Sequence, residues 1–128
     1  MQKAEKVRVL LVEDEPIQQM VTREILESFQ CKVDIAESGK KGLAKLKKEK
    51  YDIVLTDNNL GDITGCEMTV SFREYEIDHH RKRIPIIGLS SMVNKENEKV
   101  FIESGMDMIF KKPISVDTID KILKAFTR

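Results

Sequence analysis

Val7–Pro16 reads VRVLLVEDEP: a run of Val and Leu, three consecutive acids, then a proline. A run this short and aliphatic suits a strand buried on both faces, as in a parallel sheet. The proline suits the first turn of a helix, where its missing N–H leaves no bond unmade. The same succession recurs along the chain. Short apolar runs at Val33–Ala36, Ile53–Leu55, Ile86–Leu89 and Met108–Phe110 alternate with segments of helical spacing. The helical stripes are Ile17, Met20, Val21 and Ile25; Leu43 and Leu46; Met68, Phe72 and Tyr75; Val100 and Phe101; and Val116, Ile119, Ile122, Leu123 and Phe126. Nearly all of these aliphatic positions are expected to be core. Ser38, Asn94 and Ser115 stand where N-caps belong, and Gly105 where a glycine ends the fourth helix. In the last helix Asp117 and Asp120 come early and Lys121, Lys124 and Arg128 later, the polarity a helix dipole favours. The alternation predicts an α/β domain of (βα)5 form over residues 1–128. Right-handed crossovers and the need to cover both faces make it a doubly wound sheet, in the order 2-1-3-4-5 by analogy with other such sheets.

Composition narrows the function. The 128 residues are 41% hydrophobic and 5% aromatic with no Trp, which supports one aliphatic core. Lys plus Arg and Asp plus Glu each total 22, so the balanced charge gives no case for nucleic acid or a membrane as partner. The lysines of the second helix (Lys40, Lys41, Lys45, Lys47, Lys48, Lys50) read as a solvated face. His79 and His80 fall in a charged stretch, Glu74–Arg83, expected to be an exposed extension; adjacent helical residues diverge, which argues against a shared metal. Cys31 and Cys66 show neither a disulfide framework nor a zinc spacing, so a reducing compartment fits. No apolar run nears the ~20 residues of a membrane span, and Met1–Lys6 has no signal-peptide core. A cytoplasmic location is expected for this part of the protein.

Ligands of open parallel sheets bind outside the carboxyl ends of the strands. Strand one ends in Glu13-Asp14-Glu15, strand three runs into Thr56-Asp57, strand four into Ser90-Ser91 and strand five into Lys111-Lys112-Pro113. In the expected order Glu13, Asp14 and Asp57 crowd together, with Ser90 and Lys112 on the far side of Asp57. Crowded carboxylates repel unless a proton or a hard cation neutralises them. Oxygen ligation by few protein groups suits Mg²⁺. A carboxylate beside a cation, a hydroxyl and a lysine is placed to accept a phosphoryl group, giving an aspartyl phosphate.

LLVEDEP (Leu10–Pro16), LTDNNLGDITG (Leu55–Gly65), PIIGLSS (Pro85–Ser91) and GMDMIFKKPIS (Gly105–Ser115) together resemble the receiver domains of two-component response regulators. The likeness spans essentially the whole chain, and its last motif is most like receivers within hybrid sensor histidine kinases of the aerobic-respiration-control type. The resemblance implies a flavodoxin-like fold and a phosphoryl group taken by Asp57 from a phosphohistidine. The donor would be a sensor histidine kinase or a histidine phosphotransfer domain. Glu13 and Asp14 match the acid pair that holds Mg²⁺, completed by Asp57 and the backbone carbonyl of Asn59. Ser90 matches the hydroxyl that bonds the phosphoryl oxygen, and Lys112, rather than Lys111, the lysine that pairs with it. The Lys112–Pro113 bond is cis in the family. Receivers promote their own phosphorylation and dephosphorylation. The chain ends at Arg128 after its last helix, so a single-domain regulator or a receiver cut from a hybrid kinase is expected.

Two positions depart from the family. Leu60-Gly61 stands for the usual Leu/Met-Pro, which makes that loop more permissive. Ile109 stands three before Lys112, where a Tyr or Phe switch is usual, so output is expected through the fourth helix and its flanking strands by other contacts. Three rival readings share parts of the pattern. A flavin binder needs a donor-rich phosphate loop after strand one, where three acids stand. A haloacid-dehalogenase-type phosphatase wants a second Asp two residues past the nucleophile, where Asn59 stands. The third is a receiver-fold docking module that is not phosphorylated.

Overall fold

Every aliphatic run becomes a strand and every striped segment a helix. The computed structural model describes residues 6–127, so Arg128 and the opening residues 1–5 lie outside it. The order is β1 (Arg8–Val12), α1 (Pro16–Ser28), β2 (Lys32–Ala36), α2 (Gly39–Lys48), β3 (Ile53–Asp57), α3 (Gly65–Asp78), β4 (Ile86–Ser90), α4 (Lys95–Glu103), β5 (Met108–Lys111) and α5 (Val116–Phe126). The strands form one parallel sheet in the order β2-β1-β3-β4-β5, as expected. Successive strand residues point to opposite faces and feed two cores. Leu10, Val12, Val54 and Ile86 meet Leu46, Met68, Phe72 and Phe101 from α2, α3 and α4. Val9, Leu11, Ile53, Leu55 and Ile87 meet Leu26, Ile119 and Ile122 from α1 and α5.

Local chemistry sets the boundaries. Pro16 opens α1. The side chains of Ser38, Asn94 and Ser115 accept the backbone N–H groups of Lys41, Asn97 and Thr118. Thr64 and Glu67 form a capping box at α3, which the apolar pattern did not reveal. Gly105 follows α4 at φ +110°. Strands β3, β4 and β5 run one or two residues past their apolar runs, because the ladder continues after the aliphatic residues end. Asp57 and Ser90 are therefore the last residues of β3 and β4.

Two expectations about burial are corrected. Ile17, Met20 and Val21 are 70%, 71% and 50% exposed, and α1 instead buries Thr22 and Leu26. Val100 and Val116 are likewise exposed. The stretch Glu74–Arg83 is only partly an exposed extension, since Glu76 is buried. Its partner is Arg73, which also lies inside. Arg73 Nη1 donates to Glu76 Oε1 (2.9 Å) and the Ile84 carbonyl (2.8 Å), Nη2 to Asp107 Oδ2 (2.9 Å) and Nε to the Gly105 carbonyl (2.9 Å). Glu76 and Asp107 in turn accept the backbone N–H groups of Ile84 and Ile86. Ion pairs thus fasten α3 to the start of β4 and β5, at the end of the sheet away from Asp57.

Candidate functional site

The carboxyl edge of the sheet gathers the charged residues. Thr56 is fully buried and its hydroxyl donates to the Asp57 carbonyl at 2.8 Å, while the Asn58 N–H donates to Asp57 Oδ1 at 2.8 Å. Asp57 Oδ2 faces Lys112, whose Nζ lies 3.2 Å away. The same ammonium donates to Glu13 Oε1 at 3.0 Å, so one lysine bridges two carboxylates from β3 and the end of β1. Its backbone N–H donates to the Ser90 carbonyl at 2.8 Å, which joins the end of β5 to that of β4. Lys112–Pro113 is cis. Lys111 ends β5 and is exposed, so Lys112 is the one turned to the acids.

Glu13 is fixed from several sides. Its N–H donates to the Ala36 carbonyl, its carbonyl accepts Gln19 Nε2 at 2.6 Å, and its Oε2 accepts the Glu15 N–H at 3.2 Å. Its side chain is almost wholly buried. Burial pushes the Glu13 carboxyl above the usual range, against the opposing pull of Lys112 and the Glu15 N–H. Burial alone would lower Lys112, but its pairing with Glu13 and Asp57 outweighs that and leaves it raised. Asp14 is exposed beside them. One carboxylate oxygen from each of Glu13, Asp14 and Asp57 lies within 4.8 Å of the others. This set of hard oxygen donors fits a small divalent cation and offers nothing a soft metal would prefer.

Ser90 and Asn59 border the same hollow. Ser90 Oγ is turned into its own loop, donating to the Met92 carbonyl at 2.9 Å and accepting the Met92 N–H at 3.2 Å. Asn59 is exposed on the β3–α3 loop. A cavity of about 510 Å³ is lined by Glu13, Asp57, Asn59, Ser90 and Lys112, and closed on one side by Ile17, Val21 and Thr22. Ile17 and Val21 were read as core; their place soon after the acids was the signal that they border the site. Ile109, three before Lys112, is buried in the core with Phe101 and Met106.

Gly65 lets α3 begin directly under Asp57. A Cβ there would lie 2.5 Å from the Asp57 carbonyl oxygen and 3.2 Å from Asn58 Cα, both backbone atoms. Gly65→Ala is expected to force the helix away and cost about 1–3 kcal/mol. A denaturant titration beside the parent chain measures it.

Comparison with known proteins agrees with this geometry. The sequence profile of the response regulator receiver domain matches residues 9–124. The aerobic respiration control sensor protein ArcB of Escherichia coli (strain K12) is 35% identical over 121 residues, 94% of this chain and 15% of that protein. The sensor histidine kinase GacS of Pseudomonas protegens is 28% identical, over 94% of this chain and 13% of its own length. The chain thus spans a small part of the curated relatives it matches. Among solved structures, the receiver domain of the sensor histidine kinase PA1611 from Pseudomonas aeruginosa, which has a magnesium ion coordinated in its active site cleft, gives a TM-score of 0.85 at 26% identity, covering 95% of this chain and 98% of that one. The fold is also that of the Saccharomyces cerevisiae Ssk1 receiver, solved with the histidine phosphotransfer protein Ypd1, at a TM-score of 0.90 and 20% identity over 94% of this chain and 88% of that one. With a family profile running from β1 into α5 and the acid pair, strand-end aspartate and bridging lysine in one cleft, the chain belongs to the response regulator receiver domains.

Proposed function

We propose that the chain, one receiver domain over residues 1–128, accepts a phosphoryl group on Asp57 from a phosphohistidine in a two-component phosphorelay. The observation that carries this is Lys112 Nζ, held between Glu13 and Asp57 at the mouth of a cavity. A carboxylate oxygen of Asp57 attacks phosphorus in line, the P–N bond to the donor imidazole breaks, and the imidazole takes up a proton. Negative charge then builds on the phosphoryl oxygens, and Lys112 is placed to neutralise it. Ser90 needs one rotation of its hydroxyl, from Met92 toward the cavity, to bond a phosphoryl oxygen. Glu13, Asp14, Asp57 and the Asn59 carbonyl would hold Mg²⁺, which supplies charge neutralisation when bound. The PA1611 receiver, with magnesium in its cleft, supports this assignment.

The donor is a sensor histidine kinase or a histidine phosphotransfer domain. Ile17, Met20 and Val21 give it an exposed apolar stripe on α1, adjoining the cavity. The domain belongs to a hybrid sensor kinase or is a single-domain regulator; its likeness to a small part of the sensor proteins ArcB and GacS supports the first, with the domain on the cytoplasmic side. Among the described residues no helix is long and apolar enough to cross a membrane.

Intact mass after incubation with a small acyl-phosphate donor tests the chemistry. One phosphoryl adduct is expected with Mg²⁺, none with a chelator, and loss of the adduct on treatment with hydroxylamine. No adduct from either an acyl phosphate or a phosphorylated histidine phosphotransfer domain would leave a docking module as the reading. Lys112→Ala is expected to keep Mg²⁺ binding and slow adduct formation by about a hundredfold, the scale of removing one charge-stabilising donor. Time-resolved mass spectrometry measures that rate.

A further inference from the structure

The loop that joins β3 to α3 is held at both ends and tied once more between them. At its start the Asn58 carbonyl accepts the Gly65 N–H and Asn58 Oδ1 accepts the Cys66 N–H, both at 2.9 Å. Leu60 is buried in the core. Beyond Gly61 the chain turns to a different helix. Asp62 Oδ1 accepts the Gly39 N–H at 2.9 Å and Oδ2 accepts the Lys40 N–H at 3.0 Å. Ser38, the residue that caps α2 locally, takes only the Lys41 N–H, at 3.2 Å. The first three amides of α2 are therefore all bonded, two of them by a loop more than 20 residues further along the chain.

The sequence of α2 explains why it needs this help. Its first turn holds no acid and carries Lys40 and Lys41, charges of the wrong sign for a helix N-terminus. Asp62 supplies the missing negative charge, and the amides of Lys40 and Gly39 hold its carboxyl below the usual carboxylate range. Gly61 makes the connection possible. Its φ is +83°, and a Cβ there would meet nothing within 4 Å, so the dihedral rather than the space calls for glycine. Proline, the family's usual residue here, is locked near −65° and cannot make this turn. Next in line, Ile63 packs so closely on Gly39 that a Cβ there would lie 2.5 Å from Ile63 Cγ1.

We propose that Asp62 is a positioning residue for the phosphoacceptor site, its contact with the first turn of α2 holding the Asn59 carbonyl where the divalent cation takes it. The inference rests on reading Glu13, Asp14, Asp57 and Asn59 as the cation set. Coupling between two sites is reciprocal, so cation binding must in turn tighten the loop against α2. The first turn of α2 then reports whether the site is filled.

Calorimetric Mg²⁺ titration of the parent chain, Asp62→Ala, Gly61→Ala and Ser38→Ala, with thermal midpoints for each, is the test. Asp62→Ala is expected to weaken Mg²⁺ about fivefold, the lower end of ordinary coupling. Ser38→Ala removes a cap from the same helix end without touching the loop, so it lowers the midpoint and leaves the Mg²⁺ Kd alone. Gly61→Ala should weaken Mg²⁺ as Asp62→Ala does, and the double variant no further, because both break one connection. In hydrogen exchange, Mg²⁺ should slow the Gly39 and Lys40 amides in the parent chain and not in Asp62→Ala. An Asp62→Ala chain that binds Mg²⁺ as the parent does overturns the proposal. So does an equal loss of affinity in Ser38→Ala, which would make the effect one of general helix stability. A parent chain that binds no Mg²⁺ overturns the reading of the cation set itself.

Discussion

Asp57→Asn is expected to abolish the phosphoryl adduct to the limit of detection while leaving the fold intact. The amide keeps the size of the carboxylate, and its oxygen can still accept the Asn58 N–H that now reaches Oδ1 at 2.8 Å. What disappears is the charge that makes the oxygen a nucleophile, since an amide nitrogen's lone pair is delocalised and its oxygen forms no stable bond to phosphorus. Lys112 retains Glu13 as partner, so no buried cation is orphaned. Intact mass of both chains after the same exposure to Mg²⁺ and acyl phosphate measures the outcome. Equal labelling of Asp57→Asn would remove Asp57 from the reaction.

Arg73→Met should cost about 3–5 kcal/mol of stability. For a domain of this size that is a fall in thermal midpoint of about 10–20 °C. The guanidinium makes four hydrogen bonds, one to Glu76 on its own helix and three that join α3 to the segments leading into β4 and β5. Methionine fills a similar volume but strands Glu76, whose side chain is 4% exposed, as a buried anion without its cation. Asp107 suffers less, because Arg83 also reaches it at 3.0 Å. Adding Glu76→Leu to Arg73→Met should therefore recover part of the loss, a non-additive pair that calorimetry resolves. At temperatures where the variant stays folded, labelling of Asp57 should be nearly normal, since the network lies at the opposite end of the strands.

Much of this molecule was legible because parallel sheets write their burial plainly. Strands covered on both faces need unbroken aliphatic runs, so the number and approximate limits of β1–β5 followed from residues alone, while their order in the sheet came by analogy with other doubly wound sheets. Glu13, Asp14, Asp57, Ser90 and Lys112 were legible for a related reason: polar residues placed where each run stops share one edge. Helix faces were harder. Ile17, Met20 and Val21 keep helical spacing but lie exposed, while Thr22 and Leu26 go inside. Periodicity gives a stripe and does not say which side of the helix the sheet occupies. The Arg73–Glu76–Asp107 cluster escaped because Arg73 and Glu76 stand in a charged stretch that looks solvated, Asp107 is a lone acid between methionines, and only the fold brings residues 73 and 107 within 2.9 Å. Asp62 escaped likewise, since a cap given to a distant helix has no local signature.

The reach of Lys112 has a consequence for how the protein is made. Its two carboxylate partners stand 99 and 55 positions earlier in the chain. During synthesis Glu13, Asp14 and Asp57 leave the ribosome long before the lysine that completes them, so a nascent fragment holds acids with no cation beside them. The lysine reaches both acids only once β5, the edge strand, has docked on β4. Completing the fold and balancing the charge of this cleft are therefore one event.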